Sequence, residues 1–242
     1  SREGAALSYF LSLIDQLALI RRTTVIAACR EFDLKYDQRL ANLSWSRIVR
    51  CDTLDWSKHV VPLLSELGVN SERTDEATRR LICTPLDLAL FVEIARHQDA
   101  TGFSTRQMLV NRYLDTIVRK DTSMGDAGIR ALEQIAAVML KKRELIAVRN
   151  EVPVDETLLR KLQSAGVVEA DELDRVRFRH QTLLDALIVS DAMRNQQSLK
   201  TLVDQLAPLP FVRPVIRSYV AVLEARSRLE LRKNIRAIVE SN

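Results

Sequence analysis

Apolar residues recur at three- and four-residue spacings along most of the 242 residues, and only six glycines and six prolines interrupt them. Long Leu-, Ile-, Ala- and Arg-rich stretches leave few places for the frequent tight turns of a sandwich or barrel, so helices should dominate. The length allows a sizeable core and exceeds the commonest single-domain size, which points to two or three modules. Apolar residues at 47% and charged residues at 28% are the composition of a globular chain, not a disordered one.

The net charge of +4 arises from 36 basic and 32 acidic residues that are interspersed, which reads as a solvated mixed surface. Cys29, Cys51 and Cys83 are isolated and odd in number, with no CxxC or Cys/His spacing. That pattern predicts no structural zinc, a reducing compartment, and three thiols acting as small apolar side chains. The apolar run from Ala5 to Ile20 is interrupted by Ser8, Ser12, Asp15 and Gln16, too polar to span a bilayer, and no basic leader or cleavage site accompanies it. A cytoplasmic location is the expectation. The sequence also opens inside a helical pattern without an initiator Met, as expected of a piece of something longer.

Residues Ala5 to Ile20 read as a helix with Leu7, Phe10, Leu11, Ile14 and Leu17 on one stripe, and Arg21 and Arg22 suit its C-terminal dipole. Thr23 to Cys29 is a run of β-branched and small residues that reads as a buried parallel strand, with Arg30 at its carboxyl end, the edge where open α/β sheets bind ligands. Three helices are expected between Thr74 and Lys120. Thr84-Pro85 supplies an N-cap and a first-turn proline for one of them, over Leu86 to His97. Ser104-x-x-Gln107 reads as the capping box of the next, which turns Val110, Leu114 and Ile117 inward.

The turn-rich stretch from Asp121 to Gly128 is read as a domain boundary. Beyond it come a helix through Leu132, Ile135, Ala136 and Met139, then a strand near Leu145 to Val148. Next stands a helix capped by Asp155 and closed at Gly166, followed by a hairpin of Val167 to Glu169 with Arg175 to Arg179. A helix from Gln181 closes the unit, and helix, strand, helix, hairpin, helix is the order of a winged-helix domain. After Pro208, Pro210 and Pro214, two helices carrying Val215, Ile216, Val220, Leu223, Leu229, Ile235 and Ile238 read as the start of a helical-repeat array.

No G-x-x-x-x-G-K-[ST] occurs in the sequence, so the chain is not expected to hydrolyse a nucleoside triphosphate by itself. Asp15 after Leu13-Ile14 imitates the acidic end of a magnesium-binding strand, but it sits in a helical stripe with no second acid following. No serine, cysteine or carboxylate constellation supports hydrolase chemistry.

Three segments taken in order do carry a resemblance: Val25-Ile26-Ala27-Ala28-Cys29-Arg30, Leu81-x-x-x-Pro85-Leu86, and Phe178-Arg179-His180-Gln181-Thr182-Leu183-Leu184-Asp185. The chain resembles the carboxyl half of a NACHT-type STAND nucleotide switch, related to AAA+ ATPases, without its Walker A and Walker B segments. The resemblance implies a chain mainly α with a small β component. Residues 1–70 would be the remnant of an α/β NTPase core, 71–122 a small helical domain, 123–198 a winged-helix domain and 199–242 the start of helical repeats.

It further implies ADP or ATP held together with an upstream P-loop domain of the same polypeptide, and homo-oligomerisation on activation in defence or signalling. Arg30 would face the terminal phosphate, where a planar guanidinium matches the oxygens. Pro85 would pack on the base, and His180 would contact the β-phosphate of ADP from a helix start. Each residue has a plainer reading: Arg30 paired with Glu31, Asp33 or Asp37, Pro85 as a helix-opening proline, and His180 capping its own helix. No magnesium is expected in these residues.

Two other classes stay open. A winged helix could bind nucleic acid through Arg175, Arg177 and Arg179 on the wing with Arg160 and Lys161 on the preceding helix, although Glu169, Asp171, Glu172 and Asp174 beside them would repel phosphates. The chain could also be a helical adaptor.

Overall fold

The computed structural model describes residues 2–29, 34–35, 37–97, 102–206 and 212–240. It divides into two compact units, Ser1–Cys51 and Asp52–Asn242. Among the described residues the chain is mainly helical with one small antiparallel sheet, and no helix is long and apolar enough to cross a membrane.

In the first unit, helix α1 (Arg2–Ala18) and the short α2 (Gln38–Ala41) frame a minimal core of Leu11 and Leu40. Leu7, Ile14 and Leu17 follow the expected stripe as half-buried residues, but Phe10 departs from it. Phe10 is exposed and meets Tyr9 edge-on at 5.9 Å instead. The expected strand over Thr23 to Cys29 does not form: these residues carry no regular structure, and Ile26 is 91% exposed. A strand is defined by the neighbour that completes its hydrogen-bond ladder, and no described residue supplies one. Arg30 lies outside the described residues. Cys29 and Cys51 are exposed rather than packed, which corrects the expectation of three apolar-like thiols. Cys83, in the second unit, does pack against the core, and burial pushes its thiol above the usual range.

The second unit opens with a π-helical turn, Trp56–Val60, whose first amides are met by the Asp55 carboxylate accepting from Lys58 N at 2.7 Å. It runs into α3 (Val61–Glu66), then a 3-10 turn (Ser71–Arg73), α4 (Glu76–Ile82) and α5 (Pro85–Ala95). Helix α6 (Arg106–Leu114) packs along α5 and continues into a second π turn, Asp115–Arg119. Its cap is displaced by one residue from the expected box: Thr105 accepts from Met108 N at 3.2 Å, while the Ser104 hydroxyl points to Met108 Sδ at 3.0 Å. Gln107 does not turn back to a cap amide at all. It is buried, and its amide nitrogen reaches Ala186 O at 2.8 Å and Ser190 Oγ at 3.0 Å on a distant helix. A buried amide that can join two packed helices gains more there than at an exposed helix end.

Helix α7 (Gly125–Lys142) ends on Arg143 in the left-handed region, at φ 60°, and leads to β1 (Ala147–Val148). Asp155 caps α8 (Glu156–Ser164) by accepting from Leu158 N at 3.1 Å, and Gly166 closes it at φ +69°, both as the sequence predicts. Strands β2 (Val168–Ala170) and β3 (Arg175–Phe178) form the hairpin, and β1 adds to the other side of β3, giving the antiparallel order β1-β3-β2. The register sets Ala147 opposite Val176 and Val168 opposite Phe178, so the apolar side chains share one buried face. Arg175 and Arg177 alternate with them on the outer face.

Helix α9 (Gln181–Arg194) is the axis of this unit. Leu183, Leu184, Ala186, Leu187, Ile188, Val189 and Ala192 are all buried, and it touches α6, α7, β3 and α11 (Val212–Arg226). A helix buried over most of its length, the charged Asp185 included, must be surrounded. Each fully buried leucine among them contributes roughly 1.5–3 kcal/mol of transfer energy. Helices α10 (Leu199–Leu206) and α12 (Arg228–Val239) pack on α11, and no described residue of α12 is fully buried.

The stretch expected to divide domains, Asp121 to Gly128, lies inside this second unit, and one buried cluster runs from Val60 to Leu223 across it. Within that stretch Gly128 makes a close approach, where a Cβ would stand 2.6 Å from Val118 Cγ1. The bare glycine lets α7 seat directly on the π turn.

Candidate functional site

Helix α5 carries the first candidate residue. Pro85 occupies its first position, where a missing N–H costs nothing, and its ring is exposed. Thr84 stands at the cap position, but its hydroxyl does not cap a backbone amide. It donates to the Asp87 carboxylate and to Leu81 O. Asp87 is completely buried, and the Arg106 guanidinium clasps it, Nε to Oδ1 at 2.8 Å and Nη2 to Oδ2 at 2.5 Å. This buried carboxylate pair, which fixes the start of α5 to the start of α6, was not read from the sequence. The available signal was Asp87 itself, a charge within the otherwise apolar run Pro85 to Phe91.

His180 is the residue between β3 and α9. Its backbone is extended (φ −129°, ψ 127°) and its carbonyl accepts from Leu183 N at 2.9 Å, so it occupies the cap position of α9. The side chain makes no cap hydrogen bond, which removes the plainer reading of a histidine capping its own helix. The imidazole is half-buried, and burial together with the adjacent Arg179 cation lowers its pKa below the usual 6.5, opposed by Glu169. Burial and Arg179 both favour the neutral imidazole, which has one ring N–H to donate.

Pro85 and His180 belong to the same compact unit. Burial and Glu93, near the far end of α5, raise the pKa of the Tyr113 phenol on α6, and Arg179 opposes them. Arg30, the third candidate, lies outside the described residues, and it belongs to the other unit. Two shallow surface cavities lie in this unit. One of about 280 Å³ is lined by Gln107, Asn111, Ser190, Met193 and Arg226, and another of about 570 Å³ by Ser123, Glu156, Arg160 and Lys161. Neither is lined by Pro85 or His180. Among the described residues no cluster of His, Cys, Asp and Glu has the geometry to hold a metal ion.

The arginines of the hairpin are tied to carboxylates. Arg175 meets Asp171 at 2.6 Å, Arg177 meets Glu169 at 3.0 Å, and Arg179 lies 3.9 Å from Glu169. On α8, Arg160 pairs with Glu156 at 3.0 Å, and Lys161 Nζ donates to Ser123 O at 3.0 Å. A phosphate backbone approaching this face would have to displace internal carboxylates from each guanidinium, which removes most of the electrostatic gain.

No protein-family model, curated protein or solved structure matches the chain.

Proposed function

We propose that these residues form the regulatory part of a NACHT-like STAND nucleotide switch, sensing ADP or ATP without hydrolysing it. In this reading residues 71–122 are a small helical domain, 123–198 a winged helix and 199–242 the first repeat helices. The sheet order β1-β3-β2, with a helix before, within and after it, is compatible with a winged helix. A P-loop core upstream in the same polypeptide would hold the nucleotide, Arg30 would face its terminal phosphate, and the exposed Pro85 ring would lie on the base.

The observation that carries the reading is His180: a half-buried imidazole that makes no cap hydrogen bond, at the start of a helix buried over most of its length. An anion placed there would take a hydrogen bond from the ring and from the open α9 N-terminus, and would draw the imidazole toward its charged form. The nearby cavities do not include this position, so the pocket would be completed by the upstream core rather than by these residues. Loss of the γ-phosphate would favour the closed arrangement, and exchange for ATP would release it toward homo-oligomers in a cytoplasmic defence or signalling role.

The test is nucleotide retention. The longer polypeptide, purified and then denatured, should release ADP, and His180→Ala should lower the amount retained at least about tenfold, the loss of one charge-assisted contact. Unchanged retention in the variant would remove His180 from the site. An upstream segment without a P-loop would remove the switch.

A further inference from the structure

The positive charge of this protein is not spread over it. Residues 199–242 contain eight lysines and arginines against four acidic residues, which leaves twenty-eight of each sign in the rest of the chain. The whole net charge of +4 therefore resides in the C-terminal helices. Its pairing differs too. Most arginines between Arg80 and Arg194 stand within ion-pair distance of a carboxylate, whereas Arg217, Arg228, Arg232, Lys233 and Arg236 meet none among the described residues.

Helix α12 arranges three of these cations. Arg228, Arg232 and Arg236 follow one another at intervals of four residues and form a ladder of guanidinium groups about 6 Å apart along one face. All three are exposed. The opposite side of the helix is fixed, because Leu231 and Ile238 pack on the core and Asn234 Oδ1 accepts from Leu199 N at 2.8 Å. Like charges at this spacing repel one another, and Arg228 stands at the first helical position, where the dipole disfavours a cation. Glu230 in the first turn and Glu240 beyond Arg236 lie on the same helix, but among the described residues neither comes within ion-pair distance of the three arginines.

The ladder is bordered by apolar side chains. Ile235 and Val239 lie along one edge and Leu229 along the other, with exposures of 47%, 69% and 63%. This layout selects among acidic partners. A bilayer would need the apolar residues at the centre of the face with cations at its margins, the reverse of what is present. A nucleic acid would lay phosphates and sugars over three aliphatic side chains, with no aromatic ring on the helix for a base to stack on. A protein helix with carboxylates at four-residue spacing, flanked by its own apolar residues, matches both the charge and its border.

We propose that the outer face of α12 is the docking surface for an acidic amphipathic helix of a partner protein. The carboxylates of that helix would pair with Arg228, Arg232 and Arg236, while its apolar residues cover Leu229, Ile235 and Val239. The surface stands independently of any nucleotide at His180.

The experiment uses fluorescence anisotropy with a labelled helical peptide of about 18 residues, Glu repeating every fourth position with Leu beside it, and a permuted peptide of identical composition. The ordered peptide should bind at least about tenfold tighter than the permuted one, and raised salt should weaken it. Arg232→Glu with Arg236→Glu, both exposed, should abolish this preference, and a peptide with Lys in place of Glu should then bind the doubly reversed protein. Equal binding of the two peptides, or binding unaffected by the reversal, would overturn the proposal. So would tighter binding of a duplex oligonucleotide or of phosphatidylserine-containing vesicles through the same arginines.

Discussion

Asp87 has no exposed surface, and the carboxylate is held from two directions by the half-exposed guanidinium of Arg106, nineteen residues along the chain. The pair joins the first turn of α5 to the first turn of α6, and Thr84 adds a hydroxyl to it.

The two partners should differ in what their removal costs. Arg106→Ala strands a buried carboxylate and should destabilise the protein by about 3 kcal/mol, as breaking buried pairs does. Asp87→Asn leaves a guanidinium that water already reaches and should cost only about 1–2 kcal/mol. Urea denaturation of both single variants checks the order, and equal losses would contradict the assignment of burial to Asp87 alone.

Gly128→Ala should destabilise the protein even though alanine is the better helix former by about 1 kcal/mol. The new methyl would meet Val118 Cγ1 at 2.6 Å and Met124 Cβ at 3.0 Å, and overpacking of this kind costs roughly 1–3 kcal/mol. Adding Val118→Ala should recover part of the loss. A thermal melt of the double variant no higher than that of Gly128→Ala would point to a cause other than this contact.

Gln107→Ala should loosen the seam between α6 and α9 by removing the donors that reach Ala186 O and Ser190 Oγ, at a cost of about 1–3 kcal/mol. Native-state hydrogen exchange should show earlier opening of both helices. Protection unchanged in α9 would mean that its apolar contacts alone hold it.

His180 sets a pH dependence whose sign follows from its lowered pKa. The unfolded chain binds a proton near pH 6.5 that the folded chain binds only at lower pH, so this residue's contribution is fully present above pH 6.5. It is lost as pH falls through 6.5 toward the folded value. Denaturant midpoints at pH 7.5 and pH 5.5 should differ less for His180→Gln than for the parent protein. An identical difference would show that the imidazole has no part in it.

Local chemistry was enough to predict much of the second unit. The Asp155 cap, the Gly166 stop, the alternation from Arg175 to Phe178 and the strand before Asp155 are visible because each depends on residues within a few positions. Pro85 and His180 were legible as helix-start residues for the same reason. The Gln107 bridge was not, since Ser104-x-x-Gln107 has the spacing of a local cap and only the approach of α9 offers its amide better partners. The same holds for Asp87, whose charge was visible but whose partner Arg106 was not.

The frequency of glycine and proline and the spacing of apolar residues thus determined by themselves that this protein is mainly helical, with a small hairpin in its second half. Tertiary structure decided which signals became real contacts. Thr23 to Cys29 reads as a strand yet lacks one, because a ladder needs a second strand that no local pattern can supply. The arginines of the hairpin and those of α12 look alike in sequence. Folding gives the first set carboxylates and, among the described residues, leaves the second without them, because an ion pair depends on distances that only packing sets.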